Sequence, residues 1–319
     1  MNITNKIGRS RVLILKVEEE DVNTIFMNTD IDSEGHLHYA YDEFAKVFSN
    51  NVLEYAFAYA DIPRDEITQK QREAAQSLLK LHEVQKLRQY FSDGTPETEW
   101  EPNLLNWYRK KGVFGEVILH LILKDFKDTI PLISKLYFKD SFAQEAKGFD
   151  AVHVSVDGST LWLGETKFYT NCKTQGVVSG GIDELVSDIK KHLTKDYLSE
   201  QFVIIKRGLE SQYQHPQRNK WIDILNQPIF LKDVFKYVRI PLLCVYEDKI
   251  ADEFLQSVDQ AAMNAKISVH TTDLLSYYNS INDYEYKDAV ETVLILMPIQ
   301  AKNALIKCML EKIWHMQNI

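Results

Sequence analysis

The chain has 319 residues, 45% hydrophobic and 26% charged, with a formal net charge of −9 and a pI near 5.5. That length buries a large core and suggests about two domains, and the composition is ordinary for a globular protein. The acidic balance excludes a protein that grips polyanions through a general surplus of Lys and Arg, so any nucleic-acid contact falls to local patches.

From the N-terminus, residues 11–17 read as a strand. Their apolar stretch runs into Lys16 and, after Val17, three glutamates, which is no secretory signal, and the expectation is a cytoplasmic protein. A polar stretch follows, then a helix over about 41–59 and a second over about 64–90. The second starts just after Pro63 and carries Ile67, Ala74, Leu78, Leu81 and Val84 at helical spacing. The Ser/Asp/Gly/Thr/Pro/Glu run at 92–99 reads as a linker. It divides a mainly helical region, 1–100, from a second unit, 101–319. Helix resumes over 103–124, a β-hairpin occupies 148–168, and 182–198 form an amphipathic helix with Ile182, Leu185, Val186, Ile189 and Leu193 on one stripe. Further strands are expected at 202–205, 240–246, 267–270 and 292–297, with helices at 248–263 and 300–316. Strands interleaved with helices predict an α/β fold whose sheet is covered on both sides. The apolar runs at 117–123 and 293–297 fall short of the roughly 20 residues that span a bilayer, so no membrane association is expected. Cys172, Cys244 and Cys308 are scattered and give neither a disulfide framework nor a zinc knuckle.

The hairpin carries the chemistry. Asp157-Gly158 between two β-rich runs predicts a two-residue turn in which Val156 pairs with Ser159, so that facing residues have numbers summing to 315. Val152 then faces Leu163, Val154 faces Leu161, and Asp150 falls opposite Glu165. Like charges directly opposed on neighbouring strands are destabilising. A cation between the two carboxylates would relieve them, and Lys167 shares their face. A third acid precedes them: Glu116 is the only formally charged residue between Lys111 and Lys124, a costly place for an unpaired carboxylate. Gly115 beside it permits close approach. Glu-x-Lys by itself is uninformative, since it also occurs at Glu145-Lys147, Glu247-Lys249 and Glu285-Lys287. Only Glu165-Lys167 lies on a well-patterned strand with an aspartate delivered opposite.

An acidic helix, Gly-Phe-Asp on one strand and Gly-Glu-Thr-Lys on the next resemble the PD-(D/E)xK nuclease superfamily. More narrowly, Lys-Gly-Phe-Asp150 and Leu-Gly-Glu165-Thr-Lys167-Phe-Tyr resemble the nuclease subunit of the Hachiman anti-phage defence system. The motif-bearing resemblance covers about residues 110–200, and Phe149 stands where the superfamily name has Pro. It implies a restriction-endonuclease-like mixed sheet flanked by helices and Mg²⁺-dependent (or Mn²⁺-dependent) hydrolysis of DNA. It also implies a helicase subunit of the same defence system as partner. By position, Asp150 and Glu165 would bind the metal together with the carbonyl of Thr166, Glu116 would complete the acidic shell, and Lys167 would orient the attacking water. The alternative is a catalytically silent adaptor that keeps the fold.

Weaker signals remain. Basic patches at 109–111, at Lys167 with Lys173, at Lys190, Lys191 and Lys195, and at Lys206, Arg207, Arg218 and Lys220 read as solvated faces when taken singly. His36 and His38 share a strand face but lack a third ligand. Cys172 shows no sign of thiol activation, and Gly180-Gly181 reads as a plain helix start. Neither a Walker A pattern nor a strand-linked GxGxxG is present.

Overall fold

The computed structural model describes residues 1–58, 62–102, 104–105, 112–133, 148–169, 177–226, 230–284 and 286–319. Among these, the strands are β1 (Ile3–Ile7), β2 (Leu13–Glu18), β3 (Val22–Met27), β4 (Thr29–Ile31), β5 (Leu37–Tyr39), β6 (Thr129–Pro131), β7 (Ala151–Ser155), β8 (Leu161–Tyr169), β9 (Val238–Glu247) and β10 (Glu291–Ile299). Eight form one sheet in the order β1-β2-β3-β10-β9-β8-β7-β6, and β4 pairs with β5 apart from it. The sheet is mixed. β3, β10, β9 and β8 run parallel, while β1-β2-β3 and β8-β7-β6 are antiparallel at the flanks.

The central strands are parallel because both of their faces are covered, and they read accordingly as nearly unbroken apolar runs. Successive residues of β9 feed opposite cores. Leu243 and Val245 join one cluster, Leu242, Cys244 and Tyr246 the other, as the pleat requires. The helices are α1 (Tyr41–Phe57), α2 (Ile67–Leu78), α3 (Leu81–Asp93), α4 (Val113–Phe126), α5 (Val177–His192), α6 (Lys195–Ser211), α7 (Arg218–Asn226), α8 (Leu231–Val234), α9 (Lys249–Gln256), α10 (Gln260–Ile281) and α11 (Lys302–Gln317). α1 to α4 and α11 cover the first face, and α5 to α8 the second, with Tyr278 of α10. A small third cluster joins Val17 and Phe26 to Ile250 of α9 and Met263 and Ile267 of α10.

The mixed α/β sheet flanked by helices agrees with the sequence reading, and several elements differ from it. Helix 64–90 is two helices, because Leu79 turns extended (φ −142, ψ 134) while buried. Glu83 restarts the helix by accepting the Lys80 N–H at 2.9 Å, which satisfies an otherwise orphaned donor. Residues 182–198 likewise belong to two helices, α5 and α6. The expected strand at 202–205 is helical: Leu198, Phe202, Ile205 and Leu209 are buried at helical spacing while Val203 is 49% exposed. The expected strand at 267–270 lies inside α10, whose buried residues Met263, Ile267 and Thr271 recur every four positions. In both cases a short apolar run looked the same for either element. The stretch taken as polar after residue 17 contains β3, buried along its whole length, where Asn23 and Thr24 are held by hydrogen bonds to Val22 O and Thr271 Oγ1. Residues 92–99 hold the end of α3 and a 3₁₀ turn, Glu97–Glu99. β1, β2 and β3 before that stretch and β6 to β10 after it belong to one sheet.

Candidate active site

The site is built on the β7–β8 hairpin, between α4 on one face of the sheet and α5 on the other. The pairs Ala151–Gly164, Val152–Leu163, His153–Trp162 and Val154–Leu161 have the register expected from the sequence. The turn is wider than the two residues expected. Ser155 N–H donates to Thr160 O at 2.9 Å and Gly158 N–H to Ser155 O at 2.7 Å, leaving residues 156–159 as the loop. Val156 does not pair with Ser159; its N–H reaches Asp128 O at 2.9 Å. A loop extended by one residue on each side leaves the register unchanged. Asp157 holds it closed by accepting from the hydroxyls of Ser155 and Ser159, at 2.6 and 2.8 Å, and from Ser159 N–H, at 2.9 Å. These donors draw its carboxyl down to about 2. Gly158, at φ +72, takes the left-handed conformation the loop needs.

Asp150 immediately precedes β7. Its Oδ2 accepts from the backbone N–H and the hydroxyl of Thr166, at 2.9 and 3.0 Å, so the aspartate grips the strand beside Glu165. Glu165 is buried at 4% exposure, and its Oε1 lies 2.7 Å from His192 Nδ1. A carboxylate only accepts, which places the proton on Nδ1. The His192 ring stacks on Tyr197 at 4.4 Å between centroids and meets Phe149 edge-on at 5.6 Å. Lys167 Nζ lies 2.7 Å from Asp188 Oδ2 and 3.9 Å from Glu184 Oε2, both on α5. Burial opposes its charge, but Asp188, Asp150 and Glu165 outweigh that and raise its pKa above the ordinary lysine value. Asp188 is lowered in turn: burial works against its charge, and Lys167 and Lys191 overcome it.

Glu116 arrives from the other face. An added Cβ on Gly115 would lie 3.1 Å from Thr166 Oγ1, which shows how closely α4 approaches β8 at this point. Glu116, the next residue, accepts a hydrogen bond from the Tyr55 hydroxyl of α1. Burial first, then the charges of Glu116 and Asp150, push the Tyr55 hydroxyl well above its usual range. Asp150 therefore sits between two groups of polar side chains, Glu116 with Tyr55 on the α4 side and Glu165 with Lys167 and His192 on the α5 side. Among the described residues, no three His, Cys, Asp or Glu side chains gather as a metal cage. The oxygen donors present still suit Mg²⁺, a hard ion ordinarily held by one or two carboxylates that keeps several waters. Asp150 and Glu165 fit that requirement.

Beside Asp150 lies a narrow cleft, lined in part by Tyr55, Phe149, His120 and His153. His120 Nδ1 and His153 Nε2 are 2.9 Å apart, and Thr129 Oγ1 is 2.9 Å from His153 Nδ1. Burial lowers the pKa of both imidazoles. Glu54 Oε2 lies 3.7 Å from His120 Nε2, too far for a hydrogen bond, and pairs with Lys124. Burial alone would raise Glu54; His120 and Lys124 instead hold it down to about 2.

Sequence reasoning did not single out Tyr55, Asp188, His192 or the two buried histidines. Asp188 and His192 carried a signal, one helical turn apart beside the apolar stripe of α5; Tyr55 lies far away in the chain and carried none. Of the weaker signals, Lys190 pairs with Asp283, and Arg218 stacks over Tyr213. His36 is exposed beside Asp32 and Glu34, and Gly180 and Gly181 lie within α5 rather than before it. The patch at 109–111, Lys173, Cys172, Glu145-Lys147 and Glu285 lie outside the described residues. Among the described residues, no helix is long and apolar enough to cross a membrane. A family model described as HamA matches residues 9–313. No curated protein matches the chain.

Proposed function

The chain belongs to the HamA family, a component of Hachiman anti-phage defence, and from that premise we propose that it is a metal-dependent nuclease of the PD-(D/E)xK type, hydrolysing phosphodiester bonds of DNA alongside a helicase subunit. The observation that carries the reading is the delivery of Asp150, Glu165 and Lys167 to one end of a hairpin with fixed register. Carboxylates gathered at the margin of a core are costly to a fold, and a silent adaptor has no use for them.

In this reading Asp150 and Glu165 supply the oxygens for a divalent cation. Mg²⁺ or Mn²⁺ bound there would lower the pKa of a water and offset charge on the phosphate. Thr166 fixes the rotamer of Asp150 through its two donors, and His192 fixes that of Glu165. Lys167 stays cationic at neutral pH, since its pKa is raised, and presents its ammonium to the phosphate undergoing attack. Glu116, held by Tyr55, borders the site from the α4 side. The net charge of −9 supports delivery to DNA by a partner, and the lack of a Walker A pattern in this sequence leaves any ATP-driven motion to that partner. Plasmid DNA incubated with the protein, the partner and Mg²⁺ should be cut, and EDTA should stop the reaction. Cutting that persists in EDTA would refute the metal-dependent reading.

A further inference from the structure

Asp188 and His192 lie one turn apart on α5, beside the buried residues Leu185, Val186 and Ile189. Four helical residues rise about 6 Å, and two strand residues about 6.6 Å. That match lets Asp188 meet Lys167 at 2.7 Å while His192 meets Glu165 at 2.7 Å. These are sheltered contacts. The side chains are 23% and 25% exposed in the first pair, 18% and 5% in the second.

Lys167 is also drawn by Asp150 and Glu165. Without Asp188, its flexible ammonium would settle on those two acids, on the ground that a divalent cation would take. Asp188 is steadied in its role by Lys191, 3.1 Å away. We infer that Asp188 and His192 are positioning residues for a divalent cation: Asp188 draws the Lys167 ammonium toward α5 and away from Asp150 and Glu165, and His192 fixes the orientation of the Glu165 carboxylate. This inference rests on the nuclease reading above.

The test is Mn²⁺ binding to the full chain, measured by calorimetry and by the spin-resonance signal of free Mn²⁺, with thermal melts to confirm folding. Asp188→Asn and His192→Ala should each weaken Mn²⁺ binding roughly tenfold or more, the range typical of groups that orient metal ligands. Asp188→Glu, which keeps the charge, should restore most of the affinity. The double variant Asp188→Asn with Lys167→Ala should bind Mn²⁺ more tightly than Asp188→Asn alone, because the competing ammonium is gone. A purely structural role for Asp188 gives no such rescue. Wild-type affinity in Asp188→Asn, or a double variant as weak as the single one, overturns the inference while leaving the nuclease reading in place. A wild-type chain that binds no Mn²⁺ overturns both.

Discussion

Gly164 immediately precedes Glu165 on β8, and α4 packs directly over it. A Cβ added at Gly164 would lie 2.5 Å from Leu119 Cδ2, 3.2 Å from Pro241 Cγ and 3.3 Å from Ala151 Cβ. The three neighbours come from α4, β9 and β7, and all are buried, so the Leu119 side chain has to turn aside within a packed core. Overpacking a close-packed interior costs about 1–3 kcal/mol. The reduced freedom of the unfolded chain returns roughly 0.4–1 kcal/mol. Gly164→Ala should therefore destabilise the fold by about 1–2 kcal/mol. With a urea slope of roughly 2–3 kcal/mol/M, the unfolding midpoint should fall by roughly 0.3–1 M. Leu119→Ala removes the closest neighbour, so the double variant should be more stable than the sum of the single effects by at least about 0.5 kcal/mol. A Gly164→Ala protein as stable as the wild type would refute the account of how α4 sits on the site strand.

Other expectations follow from the same geometry. Lys167→Ala should abolish DNA cleavage while the melting temperature stays within a few degrees, since Asp188 keeps Lys191 as a partner; undiminished cleavage would remove Lys167 from the site. Tyr55→Phe deletes the donor to Glu116 and should cost about 1.5–3 kcal/mol in urea unfolding, as for hydrogen bonds to charged groups; no change would show the bond to be dispensable. Glu54 is held at about 2 in the folded chain against an ordinary 4.5. A depressed carboxyl adds stability above its unfolded pKa and loses it as pH falls through the folded one. Wild-type stability should thus decline between about pH 5 and pH 2, and Glu54→Gln should flatten part of that decline. Parallel pH profiles for the two proteins would contradict this.

The site hairpin was legible because its information is local. Alternation along residues 150–156 and 161–167 defines a face, and the turn residues define a register that survives the widening of the loop to 156–159. Both central strands, β9 and β10, were legible as continuous apolar runs. Elements placed by distant partners were not. β3 carries Asn23 and Thr24 within a buried strand, and the bond from Thr24 to Thr271 spans 247 positions. Phe202–Ile205 looked like a strand until Leu198 and Leu209 completed a helical stripe. The same limit applies to the site. Asp150, Glu165 and Lys167 were visible as one pattern, whereas the approach of Tyr55 to Glu116 depends on α1 packing against α4 across 61 positions. The family resemblance implied one acidic shell of Glu116, Asp150 and Glu165. The fold brings Glu116 and Glu165 in from opposite faces of β8, with Asp150 between them.

The central claim is that Asp150 and Glu165 work on a phosphodiester. Its most direct test compares wild type and Glu165→Ala, each with the helicase partner, Mg²⁺ and linear or plasmid DNA, with folding checked by circular dichroism. The account predicts cleavage by the wild type and none by a folded Glu165→Ala protein. A Glu165→Ala protein that cuts at the wild-type rate would contradict it, and so would a wild-type complex that leaves every DNA form intact.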